Sequence, residues 1–170
     1  MKLQPCLAAL LLCTGTALAQ DDCRLDLSES RLDFGLMNRA IASTSTAERL
    51  LGERRLSLTL NCPETGDMSL FYRALAAGTE RLRFTDGGSY RVQVHDAVLD
   101  GRAVQLGLLA GPGQAPAQVG ASLTWRADHG IVPLYDGQPA AGRSFSAQLQ
   151  VSAWAREEAF RVRDARSEER

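Results

Sequence analysis

CRLDLSESRLDFG (residues 23–35) and RRLSLTLNC (residues 54–62) are the two stretches on which the fold turns. In the first, Cys23, Leu25 and Leu27 alternate with Arg24, Asp26 and Ser28. In the second, Leu56, Leu58, Leu60 and Cys62 alternate with Ser57, Thr59 and Asn61. Successive side chains of a strand point to opposite faces, so a period of two marks a strand buried on one side. Each cysteine falls on the leucine face of its run. The expectation is two neighbouring β-strands joined by a Cys23–Cys62 disulfide, with Leu25, Leu27, Leu56, Leu58 and Leu60 forming one side of the core.

Toward the N-terminus, Met1-Lys2 precedes an apolar run over residues 7–12 and the small-x-small triplet Ala17-Leu18-Ala19. This is the layout of a secretory signal peptide, expected over residues 1–19. The apolar run is far below the ~20 residues a membrane helix needs. Leu12 is bulky where a lipoprotein signal ending at Cys13 requires a small residue, which argues against lipidation. Cleavage removes Cys6 and Cys13 and leaves Cys23 and Cys62 as the pair. In an exported, oxidising setting an even count reads as a disulfide rather than two free thiols. Closing a loop of about 40 residues is worth ~4 kcal/mol on a chain-entropy estimate. Residues 20–154 are long enough for one domain with its own core, and residues 155–170 form a tail. The formal net charge is −1 and Lys2 is the only lysine. No basic patch reaches the size that nucleic-acid binding demands.

Leu32 and Phe34 continue the first alternation beyond a bend at Glu29-Ser30, and residues 40–46 (AIASTST) read as a surface loop. Residues 47–51 suggest a helical turn. Residues 63–66 read as a turn, and residues 68–75 as a strand with Met68, Leu70 and Tyr72 opposite Ser69, Phe71 and Arg73. Asp86-Gly87 and Asp100-Gly101 mark two hairpins. Ile131-Val132-Pro133-Leu134 carries a proline whose missing N–H predicts an edge strand or a strand switch. The last long alternation puts Phe145, Ala147, Leu149, Val151 and Ala153 on one face. Of these, Phe145, Leu149 and Val151 join the leucines as core or groove-lining candidates. Trp125 and Trp154 are expected in the core, each closing the apolar face of its strand. Turn signals about every 8–12 residues and no helical period predict an all-β sandwich.

Catalysis finds no support in these residues. An enzyme needs a nucleophile–base or metal constellation. His95 lies near Asp96 and Asp100, and His129 beside Asp128, a pattern that two metal ligands can share. However, His95 falls on the polar face of its strand and Asp128-His129-Gly130 reads as a turn. There is no nucleophile elbow and no glycine-rich phosphate loop. Asp21-Asp22 and Glu157-Glu158 read as solvated charge. The expectation is a non-enzyme with no catalytic residues, no cofactor and no metal. Phe71, Tyr72 and Tyr135 are the aromatics left over for a ligand or partner surface.

The order of these features resembles the pilin domains of chaperone–usher fimbriae, a bacterial adhesion family. The resemblance rests on Cys23, the apolar-x-apolar-Gly step Leu32-Asp33-Phe34-Gly35, and the run from Leu56 through Asn61-Cys62. It continues with the Ile-x-Pro-like piece at Ile131, the Gly/Pro/Ala loop over residues 137–142, and the strand over residues 145–153. The resemblance implies an immunoglobulin-like (pilin-type) β-sandwich lacking its final strand, with an apolar groove filled by a strand from another protein. It implies a periplasmic chaperone, an outer-membrane usher and neighbouring pilin subunits as partners. It also implies export through the periplasm to a fimbria at the cell surface. Two departures qualify it. Only Gln20, Asp21 and Asp22 would precede Cys23 after cleavage, too short and too acidic to donate a strand, which implies a minor or tip-type subunit. Residues also continue past Trp154, and Ala159, Phe160 and Val162 there offer a cover in cis, which would make a self-complemented secreted binding module instead.

Overall fold

The alternating leucines build one wall of the fold, and a second sheet closes over part of it. The computed structural model describes residues 22–34 and 48–156. In chain order the strands are β1 (Arg24–Leu27), β2 (Arg49–Asp67), β3 (Leu70–Phe71), β4 (Leu75–Ala76), β5 (Leu82–Thr85), β6 (Gly88–Leu99) and β7 (Arg102–Ala103). There follow β8 (Gln105–Leu109), β9 (Gln118–Gly120), β10 (Leu123–Trp125), β11 (Gly130–Tyr135), β12 (Gln138–Pro139) and β13 (Ala141–Ala155). Among the described residues there is no helix. The fold is all-β, with antiparallel pairing and one disulfide.

β1 pairs with β2 in the register Leu25↔Leu60 and Leu27↔Leu58. The next pair in that register is Cys23 with Cys62, and the disulfide joins them with Cα atoms 4.1 Å apart. Opposite residues of a non-hydrogen-bonded antiparallel pair approach to about 4.5 Å, so the strand pairing itself brings the thiols together.

The first sheet runs β1-β2-β13-β6-β5-β4, with β7 and β10 also paired to β6. β13 is its spine. Leu149 stands between Leu56 of β2 and Val94 of β6, and Phe145 between Leu60 and Leu99. The opposite face is polar. There Ser152 Oγ and Gln150 Nε2 donate to the Glu53 carboxylate at 2.9 and 3.1 Å. The hairpin between β6 and β7 turns on Asp100 (φ 47°) and Gly101 (φ 79°). Two left-handed residues in a two-residue loop match the right-handed twist of paired strands.

The second sheet runs β12-β11-β8-β9, with β3 paired to β11 on the side away from β8. Its Leu106, Leu108 and Ile131 share one core with Leu60, Leu99 and Phe145 of the first sheet. Phe145, Leu106 and Ile131 are 0% exposed.

Several expectations are corrected. Residues 49–51 are strand, not a helical turn, because β2 begins at Arg49 and pairs with the end of β13. Residues 63–66 do not turn; β2 runs through Pro63 to Asp67, where Gly66 pairs with Gly142 after a register shift. Residues 68–75 hold only the short β3 and the start of β4. Pro133 lies in an interior strand. Its carbonyl accepts from Ala140 N at 3.0 Å, so its nitrogen faces the same side, toward the short β12 hairpin, and away from β8. The missing donor therefore leaves the longer β8–β11 ladder intact. Trp125 is buried and donates Nε1–H to the His129 carbonyl at 3.0 Å. Trp154 is not in the core. It alternates with the buried Ala153 and Ala155 and faces outward, with the Arg81 guanidinium 4.2 Å and the Arg91 guanidinium 5.5 Å from its ring centre. The expected signal segment, the loop over 40–46 and the tail beyond Arg156 lie outside the described residues.

Candidate functional site

The first sheet's apolar face is longer than the second sheet covers. Leu58 and Leu60 are 3% and 6% exposed, whereas their cross-strand partners Leu27 and Leu25 are 48% and 52% exposed on the same face. Between them and the second sheet lies an apolar groove of about 610 Å³. Leu56, Leu58, Leu149, Val151 and Ala153 form its floor, and Leu70 and Tyr72 from the β3 side form one wall.

Along both bounding edges alternate residues direct their backbone groups away from the strand they pair with. Ser28 N donates to the Ser57 carbonyl at 2.9 Å, and Ser57 N to Ser28 Oγ at 2.9 Å. Hydrogen-bonding residues alternate along an antiparallel edge, so Leu25 and Leu27 direct their N–H and C=O away from β2. On the other side, Tyr72 N donates to the His129 carbonyl at 3.1 Å and Asp128 N to the Tyr72 carbonyl at 3.0 Å. The same alternation turns the Phe71 backbone outward. Its ring lies on the far face over Gly130, where a Cβ would stand 2.6 Å from it.

One lip of the groove is the chain that leaves β1. Leu32 and Phe34 line it. Arg54 Nε donates to the Asp33 carbonyl at 3.0 Å, and the Arg54 guanidinium sits 5.5 Å from the Phe34 ring centre. Gly52 beneath has φ +151°, with space for a Cβ limited by Phe34 Cδ1 at 3.6 Å. The register shift beside Gly52 leaves Leu51 lining the groove. The far end is aromatic. The Tyr72 and Tyr90 hydroxyls lie 2.6 Å apart, Tyr72 packs 5.4 Å from Trp125, and Phe84 lies 6.3 Å from Tyr90. Burial, then the bond to Tyr72, pushes the Tyr90 phenol well above its ordinary value. This hydroxyl pair is a polar spot in a lining that is otherwise mainly aliphatic and aromatic.

Of the candidates read from the sequence, Leu25, Leu27, Leu56, Leu58, Leu149 and Val151 line the groove. Leu60 and Phe145 do not; they lie deep under the second sheet. Sequence reasoning missed Leu51, Leu70, Tyr90 and Val92 as lining residues. The Tyr90-Val92 alternation was a usable signal, but Leu51 reaches the groove only through the irregularity at Gly52. The histidines stay apart. His95 Nδ1 lies 2.9 Å from Asp96 Oδ2, and His129 Nδ1 donates to the Ala127 carbonyl at 2.7 Å. Among the described residues no three metal-ligating side chains gather.

A smaller polar cleft of about 310 Å³ opens at the end of the first sheet, lined by Glu48, Arg83, Ser89 and Arg156 around the Asp86-Gly87 turn. Glu48 accepts from Arg81 and, at 3.2 Å, from Ser89 Oγ; the Arg81 bond holds its carboxyl below the usual carboxylate range.

The groove can bury apolar side chains presented every second residue and can offer backbone partners at its rim, which is what an added β-strand requires. Comparison with known protein families, curated proteins and solved structures returns no match for this chain.

Proposed function

We propose that this chain is an exported structural subunit that receives a β-strand from another protein, in the manner of a chaperone–usher pilin, and that it serves as a minor or tip-type subunit of a fimbria. The observation that carries the proposal is the apolar groove between the outward-facing backbones of β1 and β3, with Leu25 and Leu27 half-exposed on its rim. An open edge beside an apolar face invites pairing and needs covering. An extended segment with alternating apolar residues fits both requirements: main-chain bonds supply affinity and alternate side chains fill the groove. The periplasmic chaperone would lend a strand to the groove in transit and a neighbouring subunit would replace it at the usher. The oxidising route out of the cell agrees with the Cys23–Cys62 bond.

The likeness to an immunoglobulin sandwich is one of architecture: two antiparallel sheets and a cysteine-tied first strand pair. Strand order differs. In that fold the next-to-last strand leaves room for the last beside it, whereas β13 is flanked by both β2 and β6. The strand would therefore enter between β1 and β3, not next to β13.

The test is titration of the purified chain with synthetic peptides of alternating apolar residues. A strand acceptor binds such a peptide, melts at a higher temperature in its presence, and ignores a peptide of the same composition with the alternation scrambled. Equal response to both peptides, or to neither, refutes the proposal.

A further inference from the structure

We propose that the segment after Arg156 folds back around the end of the first sheet and seats Phe160 and Val162 in the groove, as a resting occupant that an incoming strand displaces. The inference rests on the strand-acceptor reading and adds what fills the acceptor before assembly.

The exit point comes first. Arg156 N donates to the Gly87 carbonyl at 2.8 Å. This is the end of the sheet where Ala153, Tyr90 and Phe84 line the groove. The chain therefore leaves the described fold at the mouth of the groove.

Charge supplies a second argument. The polar cleft at that same end is lined by Arg83, whose side chain makes no hydrogen bond or salt bridge among the described residues, and by Arg156 itself. Glu48, the carboxylate in the cleft, is already held by Arg81 and Ser89. The next residues along the chain are Glu157 and Glu158. They bring carboxylates beside this exposed guanidinium, on the outward face of the sheet end over which the chain must turn to reach the groove.

Order and period supply the third. After the two acids come Ala159-Phe160-Arg161-Val162-Arg163. In an extended segment Phe160 and Val162 share one face and the two arginines the other. Phe160 and Val162 stand about 7 Å apart in an extended segment, the rise of β13 from Ala153 to Val151. Phe160 then meets Ala153, Tyr90 and Phe84, and Val162 reaches Val151 and Leu56. Leu25 and Leu27, at the opposite end, stay uncovered and offer the foothold from which a longer strand invades. Tethering raises the effective concentration of the segment to about the millimolar range, so two apolar anchors hold it in cis, while an intermolecular strand with more anchors displaces it.

The experiment compares the full chain with Phe160→Asp/Val162→Asp and with the control Arg161→Ser/Arg163→Ser. It reads fluorescence of a hydrophobic-surface dye and the association rate of the alternating apolar peptide. If the segment fills the groove nine-tenths of the time, the aspartate pair speeds peptide association about tenfold and raises dye fluorescence, and the serine pair does neither. Unchanged dye fluorescence in the aspartate pair overturns the inference. If dye rises but no peptide binds any form, the resting occupant stands and the strand-acceptor reading fails. If the peptide binds every form at the same rate with no change in dye, the acceptor stands and the resting occupant fails. A spin label on Phe160→Cys gives an independent reading in a chain that keeps Val162: it should broaden the amide signals of Val92 and Ala153, and the absence of broadening also overturns the inference.

Discussion

Leu25 and Leu60 face each other directly across β1 and β2, yet Leu60 is 6% exposed and Leu25 is 52% exposed. Two leucines in one cross-strand pair therefore do different jobs. Leu60 holds the fold together. Leu25 presents apolar surface that the described fold leaves uncovered.

The same contrast separates Leu27 from Leu58. Leu58→Ala removes a buried side chain and should cost about 2–5 kcal/mol of stability. Leu27→Asp, at a half-exposed rim, should cost about 1 kcal/mol or less while abolishing binding of the alternating apolar peptide. Urea unfolding and peptide titration on the two variants check this. Retained peptide binding by Leu27→Asp would remove the rim from the proposed site.

Replacing both cysteines, Cys23→Ser with Cys62→Ser, frees the end of β1. The chain-entropy estimate for this loop predicts a loss of ~4 kcal/mol, read as a lower urea midpoint. Because, among the described residues, β1 pairs with β2 alone, the reduced form should also bind more hydrophobic dye before global unfolding. Identical midpoints for the oxidised chain and the double variant would show the bond to be dispensable.

Asp100 ties a hairpin to β13. Its carboxylate accepts from Ser144 N at 2.8 Å and Arg143 N at 3.0 Å, and those bonds, Ser144 first, hold its pKa below the ordinary 3.8. A depressed folded-state value stabilises the fold at every pH above the unfolded value, and the contribution is lost as pH falls through the folded one. Asp100→Asn tolerates the left-handed turn but lacks the charge. It should therefore be less stable than the parent at neutral pH, and the gap in urea midpoint should narrow as the solution is taken below pH 3.8. A gap that widens in acid would contradict this.

Trp154→Leu probes the outer face. It removes the ring under Arg81 and Arg91, and exposed cation–π contacts are worth about 0.5–1 kcal/mol each. A stability loss of ~1–2 kcal/mol with unchanged peptide binding is expected. A change in peptide affinity would mean the two faces of the sheet are coupled.

Pro133 and Trp154 show why some features were not legible in the sequence. A proline in an apolar run reads as an edge, because a ladder bond is missing. What spares Pro133 is that its nitrogen faces the short β12 hairpin and not β8, and no local pattern reports which side of a strand its long neighbour takes. Trp154 reads as the cap of an apolar face by hydrophobicity, although strict alternation with Ala153 already assigned it to the other side; two arginines from β6 and the chain just before β5 make that side favourable. The groove was half legible. Its floor followed from alternation, but Leu51, Leu70 and Tyr90 enter from elements that only folding brings alongside.

By itself the sequence determined the apolar faces of β1, of the middle of β2 and of β13, together with the disulfide, since each depends on the period-two alternation of side chains within a few residues and on pairing Cys23 with Cys62. Only the tertiary structure decided that β13 runs between β2 and β6, and that Leu25 and Leu27 lie open while Leu58 and Leu60 are covered. The physical reason is that alternation specifies which face of a strand is apolar, whereas whether that face is covered depends on how far the opposite sheet extends.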